Sequence, residues 1–197
     1  MWVRCGVIPL PLVGILLLVT NPADGAGGTP AGDPTGKPGA GASTRVALLD
    51  WTAPVPRTWV AEPPQTSMRL AQFRVPGSAG AEGAELVVFY FGAGEGGSAG
   101  ANIARWQSQF SDPAGKPVRP AVEHLQVKGM PVTIAEVSGT YARSLGMGPP
   151  ASPTPDQTLL AAIVETPRGN HLFELHGPRA TVAANRASFL AMVRGIR

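Results

Sequence analysis

One antiparallel sheet of about six strands with helices packed on it, an α+β fold, is what this 197-residue sequence predicts. Three observations lead there. Short segments that alternate apolar with polar residues, or are apolar throughout, recur at residues 68–75, 86–91, 122–128, 132–141, 159–164 and 171–176. Only residues 99–110 and 180–197 carry helical spacing, too few helices to alternate with strands in a doubly wound parallel sheet. The 25 glycines and 21 prolines punctuate these segments heavily, and a chain of this length has room for a single domain.

The amino end reads as a leader. Arg4 precedes an apolar run at residues 7–19 that is interrupted by Pro9, Pro11 and Gly14. At roughly 13 residues the run is shorter than the ~20 a helix needs to cross a bilayer. Asn21-Pro22-Ala23-Asp24-Gly25 then forms a turn with small residues, so residues 1–25 are expected to be a signal peptide cut after Gly25. A retained membrane anchor is the competing expectation. Cys5 lies before the apolar run, not after it, which argues against lipid attachment and leaves the mature chain without cysteine. Residues 26–44 are rich in Gly, Ala, Pro and Thr and hold nothing large enough to bury, so they are expected to be a flexible linker. The globular domain is then residues 45–197.

Within the domain an apolar run at 46–51 and the proline-bounded Trp59 come first. Residues 68–75 alternate, as a half-buried strand does. Residues 86–91 are apolar on both faces, as expected of an interior strand covered on two sides. The period then changes. Ile103, Trp106 and Phe110 stand three and four apart, which predicts an amphipathic helix over 99–110 with Ser98 as its cap. Residues 122–128 and 132–141 predict a hairpin about Gly129-Met130-Pro131. Residues 146–155 read as an exposed loop, and Arg168-Gly169-Asn170 as the turn between the strands at 159–164 and 171–176. A closing helix over 180–197 places Val182, Phe189, Val193 and Ile196 on one face, with Arg194 and Arg197 at the negative end of its dipole.

The charge excludes one class of partner. The net charge is +3, and removing residues 1–25 takes away Arg4 and Asp24 and leaves it unchanged. The arginines are scattered singly, with no run or helical stripe, so no nucleic-acid footprint forms.

Several motifs invite chemistry. Gly92-Ala93-Gly94-Glu95-Gly96-Gly97 satisfies G-x-G-x-x-G after a strand and before a helix, but Glu95 would set an anion beside the phosphates and no second parallel strand brings an acidic residue to the ribose at the usual distance. Gly96-Gly97-Ser98-Ala99-Gly100 satisfies G-x-S-x-G, with Asp156 and then His171 or His176 following in Ser, Asp, His order. A nucleophile elbow needs its serine at a tight turn leaving the strand, whereas Ser98 comes well after Phe91, so helix cap is its expected role. His124, His171 and His176 are expected to be ordinary surface or edge-strand histidines. On an extended strand Glu174 and His176 share a face and His171 takes the other, and Glu123 and His124 diverge likewise, so no metal set converges. The loops at 92–100 and 146–155 are the expected binding edges.

The layout resembles the PsbP-like family and its exported bacterial relatives. The landmarks are the Pro-rich Trp segment at 53–59, Ser67-Met68-Arg69-Leu70-Ala71-Gln72-Phe73, the apolar strand at 86–91, Asn102-Ile103 with Arg105-Trp106, Gly139-Thr140-Tyr141, and Gly177-Pro178 before the last helix. They span most of residues 45–195. The resemblance implies an α/β/α sandwich, an antiparallel sheet between helices, and an accessory or binding role with no shared catalytic set. Photosynthetic members assist the oxygen-evolving complex, a role this chain's residues do not support. The expectation is an exported non-enzymatic accessory domain of the bacterial envelope, secreted or periplasmic. It would bind an unknown protein or small ligand, use no cofactor or metal, and touch a membrane only through a retained amino end. A serine hydrolase using Ser98 is the alternative.

Overall fold

Strand-forming segments separated by Gly and Pro turns dominate the domain, and the backbone follows that pattern closely. The computed structural model describes residues 44–142 and 152–197. The expected leader, the linker up to residue 43 and part of the 146–155 loop lie outside the described residues. Among the described residues the elements run β1 (Thr44–Leu48), β2 (Trp51–Val55), β3 (Val60–Glu62), β4 (Arg69–Val75) and β5 (Ala84–Tyr90), then helix α1 (Ala99–Gln107). A second group follows: β6 (Phe110–Ser111), β7 (Ala121–Val127), β8 (Met130–Tyr141), β9 (Thr154–Thr166) and β10 (Gly169–Pro178), closed by α2 (Arg179–Arg194).

β1 and β2 make a separate hairpin, and the other strands form one sheet in the order β3-β4-β5-β10-β9-β8. β6 and β7 pair with different stretches of β8. Every pairing is antiparallel. The expected count of about six strands becomes eight because β3 and β6 are only 3 and 2 residues long, too short for alternation to show in sequence.

The two faces of the sheet are packed unequally. On one face α2 lays Val182, Phe189, Met192 and Val193 over Leu86, Val88, Leu160, Ala162, Phe173 and Leu175. The β1–β2 hairpin joins that layer through Leu48, Ala53 and Val55. On the other face α1 sets Trp106 over Ala135, Val137, Leu159, Ala161, Ile163 and Leu172. Each large apolar side chain so buried stabilises the fold by about 1.5–3 kcal/mol. The result is the expected helix, sheet, helix arrangement.

Four expectations shift locally. α1 stops at Gln107, and Phe110 belongs to β6, opposite Tyr141. The apolar run at 46–51 is cut by a turn at Leu49 and Asp50, which lets Leu48 face the core from one strand and Ala53 from the next. Lys128 and Gly129, both at positive φ, make the β7–β8 turn, so Met130 and Pro131 are strand residues. α2 ends at Arg194, capped by Gly195. A Cβ on Gly195 would stand 2.5 Å from Pro54 Cγ, so this glycine is what lets the hairpin lie against the helix end.

Candidate functional site

Helix α1 is too small for the face it covers. Its 9 residues extend about 14 Å, whereas the seven strands across the sheet span roughly 30 Å. It packs over β8, β9 and β10 and leaves β3, β4 and the outer half of β5 without a helix on that side. Apolar residues there would face water, and the sequence places charged and amide side chains instead. Along β4 the residues pointing to this face are Gln72 and Arg74, with Arg69 brought to the same side by a register shift between Arg69 and Ala71. β5 contributes Glu85, Val87 and Phe89, and β10 contributes Glu174 and His176.

All of these except Gln72 and Arg74 line a small groove of about 70 Å³ beside α1. Arg69 reaches Gln72 Oε1 at 2.8 Å and Glu85 Oε1 at 3.3 Å, and its guanidinium sits 5.7 Å from the centre of the Phe89 ring. Gln72 is almost fully buried, so this network is part of the sheet surface and not a mobile fringe. Across the groove, Arg105 Nη2 and Trp106 Nε1 both donate to Glu174 Oε1, at 3.2 and 2.9 Å. Asn102 accepts from Arg105 at 3.0 Å and donates to the carbonyls of Gly96 and Ser98. One end is closed by rings: Tyr141 and His176 lie 4.2 Å apart between centres, and Phe110 lies 5.1 Å from Tyr141. Val87 and Leu159 form an apolar floor.

The groove therefore presents two arginine–glutamate pairs over an apolar base. Each carboxylate is held by an arginine, and none of the residues lining the groove is a Ser, Thr or Cys that could serve as a nucleophile. Glu174 is the keystone of the groove, since it ties the helix to the sheet. Glu174→Ala removes the acceptor for a buried indole N–H and is expected to destabilise the domain by about 1–3 kcal/mol. Glu174→Gln keeps an acceptor oxygen and should lose clearly less, both losses being read by urea titration.

The motifs singled out in the sequence lie elsewhere. Ser98 is the N-cap of α1, its Oγ accepting the Ala101 N–H at 3.2 Å. Ser98→Ala should cost about 1 kcal/mol, as loss of an N-cap does, which thermal melting would show. Asp156 is exposed and paired with Arg179 at 2.7 Å, not with a histidine. The glycines of residues 92–97 connect β5 to α1, and Gly97 O accepts from Asn170, which moors the connector to the β9–β10 turn.

The histidines part company as the alternation predicts. His124 is exposed on the edge strand β7, with Nδ1 3.2 Å from Thr133 Oγ1, while Glu123 turns the other way to Arg186. His176 lines the groove. His171 departs from the expected surface position: β10 lies between β5 and β9, and the ring is 2 % exposed on the α2 face. Among the described residues no group of His, Cys, Asp and Glu is placed to hold a metal ion. Besides the 92–100 loop, expected to be a binding edge, the open sheet face carries a concave polar surface, a property of strand pairing that no local motif announces.

No family model and no curated protein matches the sequence. Solved structures do match in shape. Cyanobacterial PsbP (CyanoP) from Synechocystis sp. PCC 6803 superposes with a TM-score of 0.50 at 14% identity, over 84% of this chain and 99% of that one. The fold is PsbP-like. A Pseudomonas aeruginosa protein of unknown function, PA94, aligns at a TM-score of 0.45 and 13% identity over 78% of this chain and 95% of its own. Within the PsbP-like fold, the landmark Asn102-Ile103 with Arg105-Trp106 has a clear physical purpose. Ile103 and Trp106 pack on the sheet, Asn102 fixes the glycine connector, and Arg105 supplies one wall of the groove.

Proposed function

We propose that this chain is an exported, non-catalytic accessory domain of the cell envelope that binds a protein partner through the charged groove beside α1. The observation that carries this reading is the paired wall of Arg69 with Glu85 and Arg105 with Glu174 over an apolar floor. Paired charges on a rigid sheet select orientation and register in a partner more than they add raw affinity. The leader-like residues 1–25 and the linker-like residues 26–44 support export followed by tethered presentation of the domain.

A photo-crosslinking residue placed at Gln109 on the groove wall, compared with one at the exposed Ala187 on α2, tests the surface in living cells. Adducts are expected from position 109 and should disappear when Arg105→Glu is added. Equal adducts from both positions, or adducts indifferent to Arg105→Glu, would remove the groove from the proposal. Export has its own readout: the envelope-associated protein should begin near residue 26, whereas a chain still starting at Met1 would mean a retained anchor. A fluorophosphonate probe should leave Ser98 unlabelled; labelling lost in Ser98→Ala would restore the hydrolase alternative.

A further inference from the structure

His171 stands out because burial and hydrogen bonding disagree there. Its ring is 2 % exposed, yet neither Nδ1 nor Nε2 makes a well-aligned hydrogen bond, and the polar groups nearest to it are the backbones of Gly169 and Leu48. Buried polar groups are rarely left so, because an unpaired one costs free energy that the fold must recover elsewhere. The ring faces a small cavity with Leu48 and Trp51 of the hairpin, Val164 and Thr166 of β9, Phe173 of β10 and Ile196 after α2. The hairpin is its roof.

That roof is the part of the described domain that the main sheet does not hydrogen-bond. β1 and β2 form their own two-stranded sheet. Its polar fastenings include bonds between Thr52 and Arg197 through both backbone and hydroxyl, Arg45 on the Gly195 carbonyl, the Asp50–Arg168 ion pair, and the Leu48 backbone against the His171 ring itself. The rest is apolar contact through Leu48, Ala53 and Val55.

We propose that the β1–β2 hairpin is an acid-sensitive latch, held shut over a neutral His171 and released when that imidazole takes up a proton. The charged and titratable groups around the ring do little to shelter a cation. From the hairpin turn comes Asp50, already bridged through both oxygens at 3.1 Å by Arg168 of the β9–β10 turn. From β5 comes Tyr90, its ring 5.0 Å away and its hydroxyl donating to the Arg168 carbonyl. α2 lends no charged side chain to the cavity lining. Opening the roof would give the protonated ring water instead.

The direction of the pH effect follows from the environment. Burial holds the His171 pKa below its ordinary 6.5, only partly countered by the Gly169 and Leu48 backbones and by Asp50. An open hairpin therefore binds the proton more readily than a closed one. Closure is fully favoured above pH 6.5 and weakens as pH falls toward the lowered value, by at most about tenfold per pH unit.

Hydrogen exchange on the full chain between about pH 6.5 and 5, a window above the titration of ordinary carboxylates, reads this directly. After correction for intrinsic rates, protection of the β1 and β2 amides should fall up to tenfold per unit while that of β9 and β10 holds. His171→Phe, or His171→Leu should the larger ring fail to fit, should abolish the slope. A slope that survives both substitutions overturns the latch, as does equal loss across β9 and β10, which would be global unfolding. An NMR titration placing the wild-type His171 ring near 6.5 with the hairpin closed would overturn it without any substitution.

Discussion

Replacing Trp106 by alanine should be the most damaging single change on the α1 face, destabilising the domain by about 3–5 kcal/mol. Trp106 is 1 % exposed and is the largest side chain of the cluster that fixes the helix to the sheet. Its removal opens a cavity over β8, β9 and β10 and takes the indole donor from Glu174. A chemical denaturation midpoint measures the loss, and Trp106→Phe separates its two parts. Phenylalanine keeps much of the apolar contact and removes the N–H, so it should cost about 1–3 kcal/mol. The groove should fail before the fold does: with α1 loosened, Arg105 and Gln109 lose their places, and crosslinking from position 109 should vanish at temperatures where the sheet is intact. A Trp106→Ala protein within 1 kcal/mol of wild type, by roughly the precision of such measurements, would mean α1 is not anchored as described.

Gly169→Ala should be comparably severe, at roughly 2–4 kcal/mol. Gly169 sits in the β9–β10 turn at φ +119, a region closed to residues with a side chain, and a Cβ there would come 2.7 Å from the Gly92 carbonyl oxygen. Backbone strain and a collision with fixed backbone add. Gly94→Ala is the matched control. Its φ is +78 but nothing lies within 4 Å of the added atom, so only strain remains, about 1 kcal/mol. In thermal melts of a chain this size the difference should amount to several degrees. It would also show that the glycine connector is held against the β9–β10 turn and is not slack.

The elements that read correctly from sequence are those with strong local periodicity. Residues 86–91 and 159–164 announced themselves as apolar runs and lie in β5 and β9 at the centre of the sheet. Ser98 read as a cap, and its hydroxyl caps. Alternation correctly set His171 and His176 on opposite faces. What alternation cannot say is which strands become interior. His171 was expected at the surface because one residue in a row tells nothing about neighbours on either side, and it is buried because β5 and β9 flank β10 and the hairpin closes over it. Phe110 fitted the helical spacing of Ile103 and Trp106, yet pairing with Tyr141 claimed it for a strand.

The groove was the least legible feature. Arg69, Glu85 and Glu174 lie on three strands far apart in sequence, and each taken singly is an ordinary polar residue on an alternating segment. Arg69 belongs to one landmark of the PsbP-like layout and Glu174 shares a strand face with His176, but nothing local joins the two. Strand order β4-β5-β10 brings them side by side, and the shortness of α1 leaves them uncovered.

Periodicity, capping and turn residues act within a few positions along the chain, so the sequence alone was enough to determine the class of fold, both helices and most strands. Which polar residues share a surface, and which histidine is shut away, depends on contacts between residues that can stand 118 positions apart, as Asp50 and Arg168 do. Those contacts were decided only when strand order and the unequal cover of the two faces were set, because burial is a property of neighbours in space and not of neighbours in sequence.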